Sequence, residues 1–134
     1  MTQEELLLKD LCARLPYRVK CRIKGKRSKI LVGIDPEGLF FRTRTPDKSD
    51  WCYYCYDIEE WSILPYLRPM SSMTEKEQEE FFDLIICVDK GKAVVEEDKI
   101  YAYNNFIYSH HLDNKNFIEK GLALEAPDGM YSKT

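Results

Sequence analysis

Cations at every second position near the start of the chain could bind a row of phosphate groups. The alternating cations are Arg18, Lys20, Arg22 and Lys24, and the following turn adds Lys26, Arg27 and Lys29. The positions between the first four are apolar, so a strand would place these four on one solvent-facing side. Spaced cations neutralise successive phosphates and release their counterions. These seven residues are our candidate nucleic-acid-binding surface. The alternative interpretation is a solvated strand face whose cations prevent edge aggregation.

Cysteine and histidine residues suggest a metal site, but their predicted geometry argues against it. Cys52 and Cys55 have metal-ligand spacing, and His110 and His111 could complete a set of four. On a strand, however, positions 52 and 55 point to opposite faces. We therefore expect buried or half-buried thiols, no metal and no cofactor.

Residues of the types found in catalytic triads also occur close together in the sequence, but nothing shows that their side chains meet in space. Ser109, His110, His111 and Asp113 include the members of a catalytic triad, but adjacency in sequence does not bring a nucleophile and a base together. We expect a histidine at a helix end instead. The acidic runs Glu59-Glu60 and 96–98 are typical of solvated faces. The sequence therefore favours a protein that is not an enzyme.

Charge is divided unevenly along a chain of 134 residues with a net charge of −3. Residues 1–44 hold eleven basic and five acidic side chains, and residues 45–134 hold nine and eighteen. Residues 14–29 contain eight cations and no carboxylate. The length and the 44% apolar content predict one domain with a single core. The acidic balance of the whole chain is unusual for a nucleic-acid-binding protein.

Cysteine usage and hydropathy predict where the protein works. Five widely spread cysteines are typical of reduced thiols rather than of a disulfide framework. The apolar run at 84–88 is too short to span a membrane, and the acidic start does not resemble a signal peptide. We expect a cytoplasmic protein without membrane association.

Periodicity predicts a helix followed by a sheet in residues 1–64. Thr2 can cap a helix that ends at Pro16. Strands follow at 17–24, 30–34, 39–44 and 51–58, with either a bulge or a close backbone approach at Gly33 and a tight turn at 35–38. Short connections favour an antiparallel four-stranded meander that could curl into a small SH3-like barrel. Aromatic residues on both faces of the fourth strand require a cover, so self-association is a further expectation.

The remainder is predicted to be mainly helical, with residues 70–125 packed on the sheet. Residues 65–69 form an extended link, because each proline disfavours a helix before it. Thr74 and Glu77 predict a capping box for a helix that ends before Gly91, with an apolar stripe at 81, 82, 85 and 86. A short strand at 93–95 and a helix at 100–111 follow, although the aromatic content of 100–111 leaves a strand as an alternative. Asp113 could cap a last helix through Lys120. The fold class is therefore α+β with two or three C-terminal helices.

Three segments resemble a group of small uncharacterised proteins encoded by gut bacteria and their phages. They are residues 6–17 (LLLKDLCARLPY), 65–74 (PYLRPMSSMT) and 121–126 (GLALEA). The resemblance spans most of the chain and implies a phage or mobile-element setting, but no activity, because none is known for the group. The pattern of the group has Gly at the position of Arg18.

Two functions remain open from the sequence. The first is a non-enzymatic binding module that holds nucleic acid on the basic strand face. The second is an accessory or inhibitor protein that binds a host protein through its acidic and aromatic surface.

Overall fold

Helices and strands follow one another in an α+β arrangement, which confirms the predicted fold class. The computed structural model describes residues 2–44, 49–58, 62–85, 87–89 and 92–131. None of the helices in these ranges is long and apolar enough to cross a membrane. Residues 45–48 between the third and fourth predicted strands, the pair Glu59-Glu60 and the apolar position Ile86 lie outside the described residues.

The first helix, α1 (Gln3–Arg14), begins at a capping box. The Glu5 backbone N–H donates to Thr2 Oγ1 at 3.1 Å, and the Thr2 N–H donates to Glu5 Oε2 at 3.2 Å, so two otherwise unpaired donors are satisfied. Leu7 and Leu11 are buried on one side of the helix. Pro16 lies in the short 3₁₀ turn that follows, so the helix ends where the sequence predicts.

The strands β1 (Lys20–Arg22), β2 (Lys29–Asp35), β3 (Gly38–Arg44) and β4 (Trp51–Tyr56) form the predicted antiparallel meander. The register shifts between Leu31 and Gly33, which confirms the bulge. At the β2–β3 turn, Asp35 Oδ1 accepts hydrogen bonds from the backbone of Glu37 and Gly38 at 2.7 and 3.2 Å. A side chain at Gly38 would lie 2.6 Å from the Tyr56 carbonyl oxygen, so this turn requires glycine.

The first strand is shorter than predicted. Val19, Cys21 and Ile23 are buried, as the alternation indicates, and they pack with Leu7 and Leu11 of α1. Arg18 is not part of β1, because its φ of 57° lies in the left-handed region. Glycine adopts this conformation without strain, whereas an arginine rarely does.

The predicted link at 65–69 is instead a strand inside the sheet, β5 (Leu64–Pro69). It pairs with β1 in antiparallel fashion, and it pairs in parallel with the short strands β8 (Leu112–Asp113) and β9 (Leu124–Glu125). The extended conformation was predicted correctly. The predicted role as a link was wrong, because every second side chain, Pro65 and Leu67, is buried in the core, as in a strand inside a sheet. The order β4-β3-β2-β1-β5-β8 leaves the sheet open, so it does not close into an SH3-like barrel.

The helical part consists of α2 (Glu75–Leu84), the hairpin of β6 (Cys87–Asp89) and β7 (Lys92–Val94), and α3 (Ile100–Ser109). Thr74 and Glu77 form the predicted capping box. The helix ends before Gly91, as predicted, but it already ends at Leu84, so the predicted stripe position Ile85 lies beyond it and a strand begins at Cys87. Phe81 is buried against Phe106, whereas Phe82 is 59% exposed. Neighbouring helix positions differ by about 100°, so both rings cannot face the same core.

The predicted last helix after Asp113 does not form. The Asp113 carboxylate accepts hydrogen bonds from the Phe117 and Ile118 backbone, each at 2.9 Å, as a cap would. Residues 117–120 nevertheless form turns, and Asn116 has a φ of 58°. The side chain of Asp113 therefore stabilises a turn, and the described residues contain two α-helices after the meander.

A buried charge network joins α1 to the C-terminal part of the sheet. Arg14 Nε donates to Asp10 Oδ2 at 2.6 Å, and both side chains are fully buried. Arg14 Nη2 also donates to the Leu112 carbonyl oxygen at 2.7 Å. Lys115 Nζ lies 2.7 Å from Asp10 Oδ1 and 3.2 Å from the Tyr108 hydroxyl. One carboxylate thus neutralises two cations that come from different ends of the chain.

Removing the Asp10 carboxylate should destabilise the protein strongly. We expect Asp10→Ala to lower the free energy of unfolding by about 3–5 kcal/mol, because Arg14 is left buried without its counter-ion. Urea denaturation measures this loss, and Lys9→Ala at an exposed position of the same helix should change it by less than about 0.5 kcal/mol. Replacing both partners, Asp10→Leu with Arg14→Met, should cost less than Asp10→Ala alone. Equal stability of Asp10→Ala and wild type would contradict this role.

Candidate functional site

The predicted cations do not all share one surface. Lys20 and Arg22 of β1 alternate with the buried residues that contact α1, so they lie on the sheet face opposite α1, which we call the outer face. Lys29 pairs directly with the buried Cys21, and the side chains of paired residues lie on the same face of the sheet. Lys29 therefore lies on the face that packs against α1, which we call the inner face. Placing Lys29 beside the other six cations on one surface was therefore wrong.

The turn between β1 and β2, residues 24–28, projects three predicted cations into solvent, and we call it the hairpin tip. Lys24, Lys26 and Arg27 are exposed there, and the Lys26 backbone N–H closes the turn on the Ile23 carbonyl oxygen at 2.9 Å. Within the described part of the chain, neither Lys24 nor Arg27 forms an ion pair. The hairpin tip is thus an accessible cationic turn.

Arg18 reaches the outer face although it lies outside β1. Together with residues of β2, β3 and β4 it lines an outer-face depression of about 460 Å³. The remaining lining residues are Ile30, Val32, Gly33, Phe40, Arg42 and Tyr53. The sequence analysis considered Tyr53 only as one of the aromatic residues of the fourth strand and did not place Phe40 or Arg42 in a site. The period of two along β3 could have identified them. Leu39 and Phe41 are buried, so Phe40 and Arg42 must lie on the opposite, outer face.

Of the two predicted cations on β1, Lys20 binds other parts of the fold and Arg22 is partly buried. Lys20 Nζ donates to the Met130 carbonyl oxygen at 3.0 Å and lies 5.8 Å from the Tyr131 ring centroid. Arg22 is half-buried, and its Nε is buried without a hydrogen-bond partner among the described residues. Lys20 and Arg22 are therefore less accessible than Arg18 and the hairpin tip. Arg14 is not a surface cation, because it is buried against Asp10.

The cysteine pair lies in a regular strand. Cys52 and Cys55 pair in unbroken register with Thr43 and Phe40 of β3, so their side chains point to opposite faces. Among the described residues, no group of three or more histidine, cysteine, aspartate or glutamate side chains could hold a metal ion. The two thiols therefore lie on opposite faces of a regular strand, an arrangement that differs from the tight turn of a zinc knuckle.

A larger cleft of about 800 Å³ lies between the end of β5, the start of α2, the end of α3 and residues 125–131. Arg68 Nη1 and Nη2 donate to Glu77 Oε2 and Oε1 at 2.9 and 2.8 Å, a bidentate pair. Hydrogen bonds from Arg68 lower the pKa of Glu77 to about 2. The sequence analysis did not identify this cleft, because its walls come from four distant segments.

The serine and histidine of this cleft do not form a nucleophile and base. His110 Nδ1 lies 2.9 Å from the Phe106 carbonyl oxygen and 3.3 Å from Ser109 Oγ. A carbonyl oxygen only accepts hydrogen bonds, so the network assigns the hydrogen to Nδ1. Nδ1 therefore cannot accept the Ser109 proton. The Nε2 atom lies 3.7 Å from Glu77 Oε2, so His110 is a helix-end residue beside a carboxylate.

His111 and Tyr131 are two further residues that line the cleft. Their rings stack with centroids 3.6 Å apart, and the Tyr131 hydroxyl accepts from the Lys20 backbone N–H at 2.9 Å and donates to the Tyr66 carbonyl oxygen at 2.8 Å. Burial, and then the positive charges of Arg14 and Arg68, lower the pKa of His111 to about 4. His111 is therefore neutral near pH 7.

Comparisons with models of protein families, with curated proteins and with solved structures found no match to this chain.

The lowered pKa of His111 predicts a loss of stability in mild acid. The unfolded chain binds a proton near pH 6.5, whereas the folded protein binds it only near pH 4, so stability falls as the pH decreases through this interval. His111→Asn, whose side chain tolerates the left-handed φ of 58°, removes this titration. Relative to the variant, wild type should lose about 1–3 kcal/mol between pH 7 and 4. A constant difference across this range in urea titrations would contradict the assignment.

Proposed function

We propose that this chain is a non-enzymatic module that binds nucleic acid through Arg18 and the hairpin tip. The observation that carries the proposal is the position of these cations. Arg18, Lys24 and Arg27 are exposed, and within the described residues no carboxylate pairs with them. Lys26 adds a further charge at the tip.

Local charge supports this function despite the net charge of −3. The exposed acids Glu75, Glu79 and Glu80 lie on α2, and among the described residues none of them forms an ion pair with Lys24 or Arg27. Phosphates are neutralised within a few ångströms, and charges beyond about 8 Å are screened at physiological salt. A compact cationic turn can therefore bind a polyanion on an acidic protein, and the released counterions make the affinity fall with added salt.

The setting that we propose is the cytoplasm of a bacterium, in a phage or mobile-element context. It rests on the similarity of residues 6–17, 65–74 and 121–126 to small proteins of gut bacteria and their phages. Reduced thiols fit that compartment, since Cys12, Cys21, Cys52 and Cys55 are unpaired.

Neutralising the hairpin tip should weaken binding and its dependence on salt. We expect Lys24→Gln with Arg27→Gln to lower affinity for a fluorescein-labelled oligonucleotide. The slope of log K against log salt should fall in magnitude by about 1.5 to 2, because two phosphate contacts are lost. The matched control is Lys9→Gln with Lys120→Gln, which removes the same charge at exposed positions elsewhere. Equal losses in both double variants would show non-specific electrostatics, and no binding at low salt would refute the function.

A second candidate function is supported by exposed aromatic side chains of the helical part. Phe82 on α2 and Tyr101 on α3 are 59% and 79% exposed. Glu79, Glu80 and Asp83 are exposed on α2 next to Phe82 in sequence. Large apolar side chains within an acidic surface are suited to a host protein that presents a basic site, as an accessory or inhibitor protein would require.

A pull-down from bacterial lysate separates the two functions. If the second applies, we expect a host protein that is recovered at low salt by wild type and lost with Phe82→Ser and Tyr101→Ser. Lys24→Gln with Arg27→Gln should not change that recovery. Nucleic acid recovered by wild type and lost with the hairpin double variant would instead favour the first function.

A further inference from the structure

We infer that the outer-face depression holds an unpaired base of single-stranded nucleic acid, stacked on Tyr53. This deepens the proposed function and rests on it, because the same surface supplies the phosphate contacts. The aromatic ring is available for stacking, since Tyr53 is 64% exposed on β4. Stacking on aromatic side chains is tolerant of base identity and favours strands whose bases are not paired.

The register of the three strands places the contact groups side by side. Ile30, Arg42 and Tyr53 occupy one row across β2, β3 and β4, so Tyr53 lies directly beside Arg42. Phe40 lies one row further along β3, opposite Gly33. Because Gly33 has no side chain and the bulge turns this strand, the floor above Phe40 stays open. A depression of about 460 Å³ is within the size range of small-molecule sites.

Charge gives this apolar floor a preference for a nucleotide. Arg18 lines the depression just before the start of β1, whereas the exposed Lys24 and Arg27 lie on the hairpin tip, after the other end of β1. The exposed acids Asp35 and Glu37 lie further away, in the β2–β3 turn. A strand with its base on Tyr53 would place one phosphate near Arg18 and, further along, another near the cations of the hairpin tip.

A duplex cannot use the depression in this way. The faces of its bases are covered by neighbouring base pairs, so a duplex presents phosphates and groove edges to the protein and cannot stack a base on Tyr53. We expect duplex binding to depend on the cations and not on the aromatic ring. Single-stranded binding depends on the cations and on the aromatic ring, which gives the two ligands different responses to one substitution.

The test compares two neighbouring tyrosines on opposite faces of β4. Tyr53 lies on the outer face, and Tyr54 is 46% exposed on the other face. We expect Tyr53→Leu to weaken binding of labelled single-stranded DNA and RNA 12-mers by about 5- to 100-fold in anisotropy titrations. Tyr53→Phe, which keeps the ring, should stay within about twofold of wild type. Tyr54→Leu should also stay within about twofold, and duplexes of the same sequence should not distinguish Tyr53→Leu from wild type.

Arg18→Gly provides a second variant that should fold. Its left-handed φ of 57° suits glycine, so the melting temperature should not fall. We expect weaker single-strand binding and a salt slope reduced in magnitude by about 1.

The outcomes separate this inference from the function on which it rests. Absence of binding to any nucleic acid at low salt overturns both. Equal affinity for single strands and duplexes, with Tyr53→Leu unchanged and the hairpin double variant weakened, overturns the stacking site and leaves the cationic surface. Equal losses in Tyr53→Leu and Tyr54→Leu also overturn the stacking site.

Discussion

The pairing of one buried carboxylate with a buried arginine and a partly exposed lysine is the constraint on which the arrangement of this protein depends. Asp10 binds Arg14 within α1 and Lys115 from the C-terminal part, and Arg14 also binds the carbonyl oxygen of Leu112 in β8. Buried charges are costly unless they are paired, so alternative packings of α1 are penalised. α1 is thereby held on the inner face, and β8 is held beside β5. On the opposite face, the described residues that line the outer-face depression are Arg18 and residues of β2, β3 and β4, and no helix contributes to its lining.

The C-terminal segment divides that outer face into two parts. Tyr131 binds the backbone of Lys20 and Tyr66, and it stacks on His111 beside the cleft. The part over β1 and β5 is therefore used by the fold itself, and it engages Lys20. The part over β2, β3 and β4 remains open to solvent. This division explains why Arg18 and the hairpin tip, and not the whole row of cations, form the surface that we propose for binding.

Local signals predicted the elements, and long-range contacts decided where the cations lie. Thr2 with Glu5 and Thr74 with Glu77 are capping boxes that depend on residues three apart, so the starts of α1 and α2 were predictable. β5 pairs with strands more than forty residues later in the chain, and such pairing produces no local sequence pattern. The prolines of this segment therefore led to its prediction as an extended link. Lys29 was misplaced because the hairpin register, and not the charge pattern, determines its face.

The binding surface can be located most directly by following backbone amide resonances during titration with a single-stranded oligonucleotide. We expect the largest chemical-shift changes at residues 24–28, around Phe40 and Arg42, and at Tyr53, with little change along α2. The shifts at 24–28 should diminish at high salt. Changes centred on α2 and the Arg68–Glu77 cleft, or no changes at all, would contradict a nucleic-acid surface on this side of the sheet.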